Sequence, residues 1–153
     1  MPDQLVSLVP LAHAGATWFM VGLIWFVQIV HYPLMSKVPA SGFSEYSAGH
    51  QRRTTWIVAP AMLAEAGCTI ALAFFPQGRG ADSPVRWVGL GLLVLVWAST
   101  FAVQVPLHTR LSTGFDENVW RRLVYTNWVR TVAWTARGII ALFMLRQESM
   151  KAC

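Results

Sequence analysis

Four apolar runs, each about the twenty residues that a helix needs to cross a bilayer, leave this chain few ways to fold. They lie at about 11–32, 54–75, 85–105 and 128–145. Inside hydrocarbon no water satisfies a backbone N–H or C=O, so each run must close its own hydrogen bonds as a helix. The expected fold class is therefore all-α. It is an integral membrane four-helix bundle, up-down-up-down with short connections, with residues 1–153 as a single domain.

Composition agrees with that reading. Charged residues make up 12% of the chain and hydrophobic residues 55%, where a soluble domain carries about 25% charged residues. The expected partner is the lipid bilayer. The net charge of +5 does not point to nucleic acid, because no basic patch interleaved with aromatics accompanies it. Basic residues at the ends of membrane spans account for it more simply. No Gly-rich phosphate loop or zinc-type cysteine cluster is present. Cys68 lies inside an apolar run and Cys153 is the last residue, so the two cysteines make no disulfide framework. Residues 1–10 hold no Lys or Arg, so the first run reads as a retained span rather than a secretory signal.

Prolines punctuate the runs. Pro33, Pro76 and Pro106 are expected to end the first three spans, since a residue before proline disfavours helix. The stretch 44–53 reads as a short interfacial helix, and 77–84 as a turn. Lys37, Arg52, Arg53, Arg110, Arg121, Arg122 and Arg130 gather at one face, against Arg79, Arg86, Arg146 and Lys151 at the other. That excess predicts loops 1 and 3 in the cytoplasm and both termini outside. Val27-Gln28 before Pro33 echoes Val103-Gln104 before Pro106, and His50-x-x-Arg53-Thr54 echoes Asn127-x-x-Arg130-Thr131. The echoes suggest two repeated helical hairpins, with chance similarity as the alternative.

At about 100° per residue, polar side chains cluster on single faces of these helices. His13, Thr17, Gln28 and His31 share a face of the first, and His50, Thr54, Glu65 and Cys68 of the second. Thr100, Gln104 and His108 share a face of the third, while Asn127, Arg130, Thr131 and Trp134 lie on neighbouring faces of the fourth. Lipid offers them no partners, so they should point inward. By depth they form two groups. His13, Glu65 and Arg137 are expected as buried ionisable residues that meet beyond the midplane. The rest lie near the face of loops 1 and 3 and compose a candidate site there. His50 or His108 would be a general base. Asn127 and Arg130, with Gln104, would stabilise negative charge developing on a substrate oxygen. Gln28, His31, Gln104 and Thr131 would contact the substrate.

Other readings of the same residues stay open. Gln28, Gln104, Thr54 and Thr131 also fit interhelical hydrogen-bond glue, which would make the protein a non-enzymatic binding or structural one. His31 and His108 also fit interfacial anchors. Three histidines near one face would suit a metal or haem, yet they come from separate helices without a short ligand motif. The residues name neither a metal nor a cofactor.

Two stretches carry a resemblance. Val105-Pro106-Leu107-His108 and Tyr125-Thr126-Asn127-Trp128-Val129-Arg130-Thr131-Val132 resemble small four-span proteins of the anthrone-oxygenase-like family, many of them bacterial proteins described only as a domain of unknown function. Tyr32-Pro33-Leu34 and Ala59-Pro60 are similar as well. The chain departs from the family where His108 replaces its usual Asn and Trp128 its usual His. The resemblance implies an oxidoreductase that turns a lipophilic aromatic substrate, a fused-ring anthrone, into a quinone with molecular oxygen and no classical cofactor. It also implies a cell membrane, the bacterial inner membrane, as the location. A weaker likeness, in His13, Arg52-Arg53 and Pro60-Ala61-Met62, is to four-span haem-associated oxidases of porphyrin biosynthesis, whose third-span lysine is missing here.

Overall fold

The computed structural model describes residues 8–75 and 84–149. The turn expected at 77–84 falls almost wholly outside them, as do Arg79, Lys151 and Cys153. Four helices carry the fold: α1 (Val9–Met35), α2 (Ala40–Phe74), α3 (Val85–Leu111) and α4 (Glu117–Ser149). All four are long and apolar enough to cross a membrane, and the protein is a small multi-pass membrane protein. Around the bundle, α1 packs against α2 and α4, and α3 packs against α4 and, less extensively, α2. This is the antiparallel ring expected when short loops join successive helices.

Two expected boundaries are corrected. α1 and α3 do not stop at Pro33 and Pro106. Each widens into a single π turn just before its proline, at Val27–His31 and Thr100–Gln104, and then continues as α-helix. A proline ring would collide with the carbonyl four residues back, here that of Ile29 or Ala102. In a π turn the hydrogen bonds reach back five residues instead: Tyr32 N–H donates to Val27 O, and Val105 N–H to Thr100 O. The wider turn moves those carbonyls aside. The stretch 44–53 is likewise no separate interfacial helix, because α2 runs unbroken from Ala40 and through Pro60. α4 starts well before residue 128, where the Asp116 carboxylate accepts from the N–H groups of Asn118 (2.8 Å) and Val119 (3.0 Å) and caps its first turn.

Two apolar layers hold the helices together. One lies mid-bundle and joins Met20, Val21 and Ile24 of α1 to Met62, Val96, Ala133 and Trp134. The other closes the end at loops 1 and 3 with Tyr32, Met35, Phe43, Leu107, Leu111 and Leu123. Outside, large apolar side chains such as Ile29, Trp56, Ile57, Leu63, Val94 and Val132 face away from the protein, as a lipid-facing surface requires.

Candidate functional site

Between the two apolar layers lies a cavity of about 330 Å³, within the size range of small-molecule sites. Its walls sort by polarity. Toward the midplane they are mainly Met20, Leu23, Ile24, Val58 and Met62, with Thr100 and with Trp97, whose indole Nε1 is buried without a partner among the described residues; toward loops 1 and 3 they are Tyr32, His50, Gln51, Thr54, Gln104, His108 and Arg130. An apolar chamber with a few polar groups gathered at one end is the pattern of a ligand site.

The polar end is held from four helices. The Tyr32 hydroxyl donates to Gln104 Oε1 at 3.4 Å and lies 3.3 Å from His108 Nε2. Gln104 Nε2 donates to Thr126 Oγ1 of α4 at 3.0 Å. Gln51 Nε2 donates to the His108 carbonyl at 3.0 Å, which ties α2 to α3. The Thr54 hydroxyl sits 3.3 Å from the His50 ring nitrogens. His31 does not line the cavity; it stacks on His50, ring centroids 3.8 Å apart at an interplanar angle of 16°. His50 in turn is 6.4 Å, centroid to centroid, from His108.

Arg130 stands apart. It is 8% exposed and lines the cavity, and among the described residues no carboxylate pairs with it. Its Nη1 donates to Asn127 Oδ1 at 3.1 Å, and among the described residues its Nε has no hydrogen-bond partner. A buried guanidinium in such surroundings is costly to leave without a countercharge.

The chain matches no protein-family model, no curated protein and no solved structure. Its chemistry is therefore read from the chamber itself.

The residues expected at the site divide accordingly. His50, His108, Gln104 and Arg130 line the chamber. Asn127, Gln28 and Thr131 do not. Gln28 Oε1 accepts from Asn127 Nδ2 at 2.8 Å and from Thr131 Oγ1 at 3.4 Å, while Gln28 Nε2 donates to the Val124 carbonyl at 3.3 Å. These amide and hydroxyl groups join α1 to α4, and neither Gln28 nor Thr131, expected as substrate contacts, is among the residues lining the chamber. Asn127 touches the chamber only through Arg130 and positions it. Beyond the polar end, toward loops 1 and 3, lies the apolar layer of Phe43, Met35, Leu111 and Leu123. Among the described residues no group of three or more His, Cys, Asp or Glu is arranged to hold a metal ion. His31 and His50 lie face to face, so their in-plane lone pairs run side by side instead of converging.

The second polar group sits at the other end of the bundle. Glu65 is fully buried and pairs with Arg137, with His13 Nε2 3.7 Å from the same carboxylate oxygen. Thr69 and Thr17 donate to that oxygen at 3.2 and 3.5 Å. Arg137 also donates to Thr69 Oγ1 at 2.8 Å and to the Gly89 carbonyl. The meeting of His13, Glu65 and Arg137 beyond the midplane thus occurs, and the mid-bundle layer around Met20, Met62, Val96 and Trp134 separates it from the chamber.

Sequence reasoning missed Tyr32, Gln51 and Trp97 as chamber residues. Tyr32 could have been found from its place in His31-Tyr32-Pro33, one residue before the proline that forces the π turn. Gln51 and Trp97 carry no such mark.

Proposed function

We propose that the protein is a membrane oxidoreductase of the oxygenase type, acting in the chamber on a lipophilic aromatic substrate of the anthrone class. The observation that carries the reading is Arg130, a buried cation without a carboxylate partner at the polar end of an otherwise apolar chamber. A phenolic or enolic ring system fills the apolar walls and turns its oxygen toward that cation. His108 or His50 takes a proton from the ring methylene as general base. The electron pair left behind spreads onto the ring oxygen, where Arg130 stabilises it. Dioxygen takes up that pair and bonds to the same carbon as a peroxide, whose outer oxygen takes back the proton held by the imidazole. Loss of the carbon's second hydrogen as a proton, with that outer oxygen leaving as hydroxide, gives water and the carbonyl. One methylene and one dioxygen thus give one carbonyl and one water, with no other reductant or oxidant needed.

The test uses the purified protein in nanodiscs with 1,8-dihydroxyanthrone, following oxygen uptake and quinone absorbance together. Catalysed uptake of one dioxygen per quinone, lost in Arg130→Gln and in the double variant His50→Ala/His108→Ala while the helical circular dichroism persists, is the expected result. A rate equal to that of empty nanodiscs overturns the reading. So does a haem absorption band in the purified protein.

A further inference from the structure

At the end by loops 1 and 3, Met35, Phe43, Leu111 and Leu123 are fully buried against one another. The cavity wall also reaches the side of the bundle. Along the side where α2 and α3 approach each other, the cavity is lined by Thr55, Ala59, Phe101 and Val105. Phe101 is 61% exposed and Val105 46% exposed, and Thr55 is exposed as well. These are lipid-facing positions on membrane-spanning helices. A cavity wall that is also the outer surface of the bundle is a doorway to the bilayer.

We infer that the ligand is a one-headed lipophile, with a hydrogen-bonding or anionic oxygen at one end of a flat apolar body, and that it enters sideways from the membrane between α2 and α3. The sorting of the walls sets its orientation. The head lies by His50, His108 and Arg130, on the side of loops 1 and 3; the body lies by Met20, Met62 and Trp97, toward the bilayer centre. An amphiphile resting in the leaflet on that side already has this orientation, head outward and body inward, so it slides across without turning over. A strongly polar group at the body end would meet mostly apolar walls, with only the Trp97 indole N–H and the Thr100 hydroxyl near it. The inference rests on the proposal that the chamber is a ligand site, and not on the chemistry done there.

The experiment places the protein in nanodiscs with a photoactivatable diazirine-bearing alkylphenol and maps the adducts by mass spectrometry. Saturable adducts on the peptides holding Val58–Met62 and Trp97–Val105, displaced by 1,8-dihydroxyanthrone but not by anthracene, are expected in the wild type. Ala59→Trp narrows the doorway and should weaken that labelling by about tenfold. Ala98→Trp, on an exposed position of α3 outside the cavity wall, should leave it unchanged and reports whether a new surface tryptophan alone disturbs the fold. Saturable labelling that Ala59→Trp leaves intact overturns the lateral route while the chamber stands. Labelling that never saturates in the wild type overturns the chamber as a ligand site, and the route with it. Equal competition by anthracene overturns the one-headed ligand class.

Discussion

Glu65 and Arg137 show how a single residue decides the energetics inside a bilayer. Both are almost fully buried, and each leaves an uncompensated charge if the other is removed. Glu65→Leu should therefore lower stability by roughly 3–5 kcal/mol. Glu65→Gln keeps an acceptor for Thr17, Thr69 and Arg137 and should cost clearly less. Unfolding midpoints in a detergent series measure both, and equal losses in the two variants would show that hydrogen bonding at Glu65 contributes nothing. The Gln28–Asn127 pair is a neutral counterpart, with both groups buried and 2.8 Å apart. A double-mutant cycle with Gln28→Ala and Asn127→Ala should return a coupling of about 0.6–1.7 kcal/mol, the range of interhelical hydrogen bonds in membranes. Asn127→Ala should also weaken turnover or binding through Arg130, and Asn127→Asp, which keeps an acceptor for the guanidinium, should restore part of it. A cycle energy near zero would separate α1 from that role.

Helices α1 and α3 owe their shape to prolines that sit two residues beyond a π turn in both cases. Aligned on those turns, Gln104 corresponds to His31, and the pairing of Gln28 with Gln104 suggested by the sequence disappears. The echo between α2 and α4 fares differently. The same offset of 77 separates Ala40 from Glu117 and His50 from Asn127, yet Arg53 is exposed where its counterpart Arg130 is buried. Close packing of α1 on α4 depends on Gly138, where an added Cβ would lie 3.1 Å from Val21 Cγ2 and 3.3 Å from the Trp18 ring. Gly138→Val should wedge the two helices apart and cost about 1–3 kcal/mol. Gly91, with no neighbour within 4 Å of its added Cβ, should accept alanine without loss. Thermal unfolding of the two variants side by side checks this, and equal midpoints would rule out a tight contact at Gly138.

At the scale of the molecule, the arrangement of charge across the membrane sets orientation. With Arg130 inside the bundle, the face of loops 1 and 3 keeps exposed Lys37, Arg52, Arg53, Arg110, Arg121 and Arg122. That excess of cations still predicts this face in the cytoplasm. In a background of Cys68→Ser and Cys153→Ser, an impermeant thiol reagent applied to intact cells should label Gly80→Cys and spare Ser36→Cys and Thr113→Cys. The reverse pattern would invert the protein. For a ligand that enters sideways, orientation also names the leaflet it would come from, the cytoplasmic one if the labelling comes out as expected.

Four spans, a membrane setting and an inward polar face were legible in the chain, because apolar length and a 3.6-residue period are local properties that hydrocarbon enforces on any helix. The rise of about 1.5 Å per residue placed His13, Glu65 and Arg137 at one depth and His50, His108 and Arg130 at another. What the chain could not decide by itself depends on how helices meet. Whether Gln28 faces a ligand or another helix is settled by Asn127, which lies 99 residues away along the chain. Which side chains pack shut the end at loops 1 and 3, and which exposed ones reach the cavity wall, depends on Met35, Phe43, Leu111 and Leu123 meeting from four helices and on Phe101 and Val105 staying exposed. The continuation of α1 and α3 through proline was equally hidden, since it rests on π turns whose bonds reach back five residues and leave no mark in the apolar period.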